Sequence, residues 1–476
     1  RDPHANNLLS AILTREGHHQ SALFYAQRAC EAVPDDPALS QTLGNLQALT
    51  GDKAEGVRTL RRAAAILPGD PQLRLCVAKI LMMSGELSAG LGECEAAKSD
   101  GVMSPDLAQL HAGLLAGLGR VDEAIGVLDG ACAQWQRHPQ LLSHRACLMN
   151  YTPRPARQIL EAHRAYGDLL EAQLPSLPPP PVPTDPEKRL RVGFVSSDLR
   201  QHSILYFLEP LLEHLDRSRF EVVCYHTCLE EDAVSRRLRG LCTLWRHEPR
   251  TAPTPLASLI RSDGVDVLIE LAGHTDGHRL AAVHMRPAPL QMTWLGYPNT
   301  TGVAAVDERI VDSITDPAEL DADARATEKL LRLDPCFLCY RPPGDVPAVV
   351  PRPIDGPIVL GCFGAMQKVS EPCVALWAAA LAAIPGSRLL VKNRAMNEAA
   401  PRQLILSRLA AGGIGPERVE MRPWAGEINE HLRVYGEVDI ALDSTPYNGT
   451  TTTCEALYMG VPVVTLAGQV HAARVG

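Results

Sequence analysis

The chain contains no apolar run near the roughly 20 residues that cross a bilayer, which excludes an ordinary membrane-spanning helix. It also has no basic excess. Over 476 residues the formal net charge is −9, and the basic residues do not gather into an arm or tail, so neither nucleic acid nor an anionic membrane surface is an expected partner. The 13 cysteines are scattered and odd in number, with Cys336–Cys339 and Cys224–Cys228 as close pairs. A zinc site would want a second matched pair, which is missing. Most cysteines sit in apolar runs, where buried free thiols are expected, and this points to the reducing cytoplasm. No signal peptide or transit segment is visible. A GxGxxG or GxxxxGK[ST] loop between strand and helix is absent, which argues against NAD and against a P-loop nucleotidase. No HExxH or carboxylate-rich cluster suggests a catalytic metal, and no resident cofactor is expected. Lysine is scarce, arginine supplying most of the positive charge.

What is present is first a repeat. Gly17, Gly51, Gly85 and Gly119 are each 34 residues apart, as are Pro37, Pro71, Pro105 and Pro139. Small residues hold fixed phases between them: Ala22, Gly56, Gly90 and Ala124; Ala29, Ala63, Ala97 and Ala131; Ser10, Gly44, Ala78 and Ala112. Small residues at fixed helical positions let two antiparallel helices approach closely, with Gly ending the first and Pro opening the next unit. Period and positions match the tetratricopeptide pattern, a helix-turn-helix that stacks into a superhelix. Helices without the clean repeat, read as a cap, continue to Leu174, so residues 1–174 form a repeat domain. Residues 175–188, opening on Pro175-Ser-Leu-Pro-Pro-Pro-Pro, form a stiff polyproline linker.

Beyond the linker the period changes. Leu190–Ser196, Phe220–His226, Val265–Leu271 and Leu290–Leu295 read as buried strands with helical stretches between the first three. A proline-rich break at 341–357 leads to a second set: Ile358–Phe363, Arg388–Val391, Val419–Arg422, Val438–Leu442 and Val461–Thr465. Two doubly wound α/β domains are therefore expected, 189–340 and 358–476, with a ligand cleft at their strand ends. The stretch from Asp439 to Thr465 is the most telling. A strand ends at Asp443, a loop rich in Ser, Thr, Asn and Gly follows, and a helix begins near Thr452. Hydroxyls and free N–H groups at a helix start favour an anion, and Glu455 one turn in could accept from a ribose hydroxyl.

Other residues could carry chemistry. His202, in a loop after the first strand, could serve as a base or phosphate contact, or as an ordinary satisfied surface group. Lys368, between a strand and the helix opening at Ser370, could neutralise a diphosphate leaving group, or be an ordinary solvated lysine. His431 and Arg433 lie on the helix before the Val438–Leu442 strand, where a solvated face is the alternative. Gly273–Gly277 and Gly296–Gly302 follow strands of the first α/β domain; their glycines suit close backbone approach to a ligand, or merely tight turns.

Taken together, LRVGFVSSDLRQHS, LAGHTDGHRL, RPAPLQMTWLGYPNTTG, the stretch around Lys368 and DSTPYNGTTTTCEALYMGVPVVTLAGQVHAARVG resemble the bacterial O-linked N-acetylglucosamine transferase family of SPINDLY type. The resemblance covers essentially the whole chain and implies a tetratricopeptide superhelix joined to a two-domain GT-B catalytic region. The implied chemistry is inverting, metal-independent transfer of GlcNAc from UDP-GlcNAc to Ser or Thr hydroxyls, with the repeats presenting the acceptor protein. It implies that Lys368 stabilises the departing diphosphate and that His202 is the base candidate. Thr451 and Thr452 would hold the phosphates, Glu455 the ribose, and His431 would lie near uracil and ribose. Arg433, Asn448, Gly449 and Thr450 join the nucleotide-sugar set. Asp198, His274, Tyr297, Pro298 and Thr300 are assigned to the acceptor and sugar side.

Departures from the family pattern accompany these matches. Thr450 stands where animal members carry a histidine, Ala365 replaces a glutamine, Val434 replaces an arginine, and no large insertion separates the two α/β domains. Leu8, Thr42, Cys76 and Leu110 occupy the positions of the animal asparagine ladder. The donor stays open to GDP-fucose or another UDP-hexose, because some SPINDLY-type relatives are similar to fucosyltransferases. A repeat-based scaffold with a weak nucleotide-sugar sensor is the reading from the binding class. The chain opens on Arg1 and stops at Gly476 within a continuing pattern, so a fragment, with an incomplete last domain, is expected.

Overall fold

The computed structural model describes residues 2–350, 356–424 and 426–476. The chain divides into two compact units. One holds Arg1–Gln136, Ala365–Gln367 and Asn393–Ile405; the other holds Arg137–Gly364, Lys368–Lys392 and Leu406–Gly476. Within the proline-rich break read at 341–357, residues 351–355 lie outside the described residues.

The first unit is built from helix pairs: Pro3–Arg15 with His19–Ala32, Pro37–Leu49 with Lys53–Ile66, Pro71–Met83 with Leu87–Ser99, and Pro105–Gly117 with Val121–Gln134. Each first helix opens on the phased proline, whose missing N–H falls where no intrahelical bond is lost. Asp2, Asp36 and Asp70 cap three of them, each accepting from a first-turn N–H at 2.8 Å. The phased glycines that follow take positive φ, from 80° to 111°, and turn the chain back. The small residues sit where helices cross. A Cβ on Gly56 would lie 2.6 Å from the Gly44 carbonyl oxygen, so this pair could not accept larger side chains without moving apart. Helix Leu87–Ser99 has no cap from its own Glu86; instead the Glu398 carboxylate, from the Asn393–Ile405 segment, accepts from Leu87 N, from Ser88 N at 2.9 Å and from the Ser88 hydroxyl.

The second unit carries two all-parallel sheets. In chain order the strands are β1 Leu190–Ser196, β2 Phe220–His226, β3 Leu244–His247, β4 Val267–Glu270, β5 Leu290–Thr293, β6 Glu308–Asp312 and β7 Lys329–Leu333. They are followed by β8 Val359–Cys362, β9 Arg388–Lys392, β10 Val419–Arg422, β11 Ile440–Leu442 and β12 Val463–Val464. The first sheet runs β3-β2-β1-β4-β5-β6-β7 and the second β10-β9-β8-β11-β12. This is the GT-B arrangement, and with the repeats the architecture is a tetratricopeptide superhelix followed by two Rossmann-like domains. Three of these strands, β3, β6 and β7, were not expected.

The two helices read as a cap on the repeats, Pro139–Met149 and Ala156–Gln173, belong to the second unit. Their packing explains the difference. Tyr166 and Leu170 are buried in one core with Val195, Val223 and Leu268. A Cβ on Gly167 would meet the Gly302 carbonyl oxygen at 1.9 Å, so this helix rests directly on the backbone of the loop after β5.

Candidate functional site

Strand order places the site. In the second sheet the first strand, β8, lies between β9 and β11, so the chain leaves β8 and β11 into the same crevice. Lys368 follows β8 and the loop 443–450 follows β11. Lys368 Nζ donates to the Asn448 carbonyl at 2.9 Å and stands 4.0 Å from the centre of the Tyr447 ring. Burial pushes its pKa down to about 8, against the pull of Asp443.

Asp443 folds the loop. Its Oδ1 accepts from Ser444 N at 2.8 Å and Gly449 N at 2.6 Å, and its Oδ2 from the Thr465 hydroxyl at 2.8 Å. Burial raises its pKa. Asn448 is fully buried and bonds Ser444 O through Nδ2 at 2.9 Å. Gly449 lets the loop close on the helix start: a Cβ there would lie 2.3 Å from the Thr452 hydroxyl, which would have to turn away. Thr450 makes no side-chain cap on helix Thr451–Tyr458, which leaves the positive helix end to an anion, and Thr450, Thr451 and Thr452 are half-buried around it. A shallow pocket opens here, lined by Phe363, Gly364, Tyr435, Asp443, Ser444 and Thr452 among others. The loop is braced from behind: Tyr447 stacks flat on Tyr151, ring centres 4.6 Å apart and planes 6° from parallel.

His431 and Glu455 are together, but buried. His431 Nε2 is 3.1 Å from Glu455 Oε2, and His431 Nδ1 is 2.8 Å from Lys392 Nζ. Trp424 covers the imidazole at 4.2 Å between ring centres. Both ring nitrogens are thus taken up within the protein. Arg433, two residues on, is exposed.

On the first sheet, β1 lies between β2 and β4, so the loops after β1 and β4 share the corresponding crevice. His202 is half-buried, with Nε2 4.0 Å from the buried Asp198 carboxylate and Nδ1 accepting from Ile204 N at 3.4 Å. Burial lowers its pKa, Asp198 opposing. His274, Tyr297, Pro298 and Thr300 lie deeper, all buried. His274 Nδ1 is 2.8 Å from the Ser143 hydroxyl and Nε2 is 2.7 Å from the Thr301 carbonyl. The Tyr297 hydroxyl is engaged by Asn150 and by His163 Nε2, each at 2.7 Å, and the Thr300 hydroxyl donates to Glu328 at 2.6 Å. These side chains hold helices and loops together around the crevice.

Three neighbours of the site were missed by reasoning from the sequence: Lys392, Tyr447 and Tyr151. Tyr447 lay within the motif, and Lys392 was one of few lysines and stood at a strand's carboxyl end; both signals were visible. Among the described residues no group of three or more His, Cys, Asp or Glu side chains could hold a metal ion. No helix there is long and apolar enough to cross a membrane.

The signature of glycosyl transferase family 41 matches residues 175–340 and 352–476. The chain is 41% identical over 325 residues to the probable UDP-N-acetylglucosamine–peptide N-acetylglucosaminyltransferase SPINDLY of Oryza sativa subsp. japonica, covering 67% of this chain and 35% of that protein. It is 39% identical, with the same coverage, to the protein of that name from Arabidopsis thaliana. A solved mutant of the Thermobaculum terrenum O-GlcNAc transferase superposes with a TM-score of 0.78 at 31% identity, over 99% of this chain and 84% of that one. The chain thus spans about a third of the length of the curated relatives it matches.

Proposed function

The chain belongs to glycosyl transferase family 41, and from that membership we propose that it transfers GlcNAc from UDP-GlcNAc to Ser and Thr hydroxyls of proteins by inverting displacement without a metal. The observation that carries this reading is the half-buried Lys368 ammonium against Asn448, beside a helix start with no side-chain cap.

Each residue has a part in the displacement. The acceptor hydroxyl attacks the anomeric carbon, its proton passes to His202, and the bond to the diphosphate oxygen breaks on the opposite face. Lys368 neutralises the charge that grows on that oxygen, where a group already held in place needs no reorganisation. The amides and hydroxyls of Thr450, Thr451 and Thr452 receive the phosphates, supported by Asn448 and Gly449, and Glu455 takes ribose hydroxyls. A His202 whose pKa is lowered by burial is neutral at pH 7 and can accept the proton. Asp198 orients it. His274, Tyr297, Pro298 and Thr300 shape the acceptor and sugar side from beneath, His431 supports Glu455, and exposed Arg433 is at most a peripheral contact.

In this reading 189–340 and 358–476 are the two halves of the catalytic region, joined through 341–357. The repeats, within the 1–174 region whose last two helices pack on the first sheet, present acceptor proteins, and the enzyme works in the cytoplasm. The test is release of nucleoside diphosphate by the full chain with UDP-GlcNAc, GDP-fucose and UDP-hexoses, followed by mass spectrometry of modified proteins. Lys368→Ala is expected to lower turnover on the order of 10²–10³-fold with an unchanged circular dichroism spectrum. Unchanged turnover overturns the role of Lys368. Release from GDP-fucose alone would replace the donor, and tight UDP binding without transfer to any peptide would turn the region into a sensor.

A further inference from the structure

Lys392 ends β9 with its side chain 2% exposed, an uncommon place for an ammonium with no carboxylate directly on it. Its Nζ lies 2.8 Å from His431 Nδ1, and the rings of Trp424 and Phe363 stand 5.2 and 5.7 Å away. A charged lysine only donates, so Nδ1 accepts and the imidazole proton sits on Nε2. That nitrogen is 3.1 Å from Glu455 Oε2. Tyr435 hydroxyl closes the network, 3.3 Å from the same carboxylate oxygen and 3.2 Å from the Thr452 carbonyl. Tyr435 and Thr452 both line the pocket beside the phosphate loop.

We propose that Lys392 is a positioning residue for the nucleotide: acting through His431, it fixes the Glu455 carboxylate for the ribose hydroxyls. The proposal rests on the reading of Glu455 as the ribose acceptor. The chain explains why a lysine is kept where burial opposes its charge. Burial pushes its pKa down to about 8, with Glu455 and Glu430 and Glu437 pulling up and Arg422 pushing down, so it is charged at neutral pH. It also explains why His431 is sealed under Trp424: the ring serves as a link with one fixed tautomer, not as a surface for ligand. The His431 N–H on one carboxylate oxygen, with the Tyr435 hydroxyl shared between that oxygen and the Thr452 carbonyl, holds the group in one orientation and leaves its other oxygen to the ribose hydroxyls.

The experiment compares, by titration calorimetry on the full chain, a nucleoside diphosphate with its 2′,3′-dideoxy form, using whichever of UDP and GDP binds the wild type more tightly. Lys392→Met keeps the aliphatic stem and removes the donor; His431→Gln interrupts the link from the other end and serves if Lys392→Met does not fold. Glu455→Ala tests the underlying reading. The expected result is a loss of about tenfold for the ribose form in all three variants, with the dideoxy form unchanged, the weight of one charge-assisted hydrogen bond. A selective loss in Glu455→Ala without one in Lys392→Met or His431→Gln overturns the role of Lys392 and leaves Glu455 on the ribose. Equal loss for both ligands in Lys392→Met also overturns it, because a general disturbance of the pocket does not distinguish sugars. No selectivity in any variant, Glu455→Ala included, removes the ribose reading and the proposal with it.

Discussion

Burial holds the Lys368 ammonium at a cost, and that cost has a measurable sign. Its pKa is pushed down to about 8, whereas an unfolded lysine titrates near 10.4. Below about pH 8 both states carry the proton and the full penalty is present. Between about 8 and 10.4 only the unfolded chain stays protonated, so stability rises with pH; above that range the penalty is gone. Lys368→Met is therefore expected to be more stable than the wild type at pH 7, by about 1–2 kcal/mol once the half-exposed surroundings are discounted, with the difference vanishing by about pH 10.4. Urea denaturation across that range checks it; a Met variant less stable than wild type at pH 7 would sink the idea of a charge kept for function. Such a trade is usual at active sites. Lys368 stands out in the sequence because lysine is scarce and this one lies between strand and helix. Its partners do not. Asn448 and Tyr447 lie 80 and 79 positions away, and only the order β9-β8-β11 brings them to it.

At the scale of elements, two helices and two loops meet over a cluster of histidines. Ser143 and His144 come from Pro139–Met149, His163 and Tyr166 from Ala156–Gln173, and His274 and His278 from the chain after β4. The rings pack edge to face, His163 with His274 at 5.0 Å and Tyr166 with His274 at 4.9 Å. Burial pushes His144, His163 and His278 down to about 4, and His274 well below its usual value. A folded pKa below the unfolded value near 6.5 means that the unfolded chain takes up protons first on acidification. This stability is complete above about pH 6.5 and is lost as pH falls toward 4. By pH 5 the loss is on the order of 2 kcal/mol per histidine. Denaturation midpoints should therefore fall steeply between pH 7 and 5, and a His163→Asn variant should show a shallower fall; a flat profile in the wild type would rule the mechanism out. The cluster was hidden in the sequence because its members span His144 to His278 and share no motif. The repeat was legible because its helices contact their neighbours in sequence, so one period carries the whole packing rule. Strand β6 was not. It starts on Glu308 and ends on Asp312 with Arg309 buried between, and it is a strand because β5 and β7 pair with it, not because of its pattern. The same holds for Ala156–Gln173, whose helical period was plain while its partner, the core around Val195 and Leu268, was not.

Within the second unit, rings and the segment after β12 both join the two sheets. His471 bonds the Asp316 carboxylate and stands 5.3 Å from the Phe337 ring, while Arg474 donates to the Ile314 carbonyl at 2.8 Å. His471, with Arg309, holds the Asp316 pKa well below its usual range although burial works against this. The other join is Tyr151 on Tyr447. One ring follows helix Pro139–Met149, whose Leu142 packs on the core of the first sheet; the other lies in the loop after β11, its centre 4.0 Å from the Lys368 ammonium. Through this stack the first sheet's layer bears on the Lys368 ammonium, so Tyr151 and Lys368 should not act independently. Tyr151→Ala is expected to weaken nucleoside diphosphate binding by about 0.5–1.5 kcal/mol, and Tyr151→Phe, which keeps the ring, much less. In a cycle of Tyr151→Ala, Lys368→Met and the double variant, the effects on binding should fall short of additivity by a similar amount, since without the ammonium the stack has nothing to hold. Additivity within about 0.3–0.5 kcal/mol would mean that the stack only joins the sheets and does not position the charge.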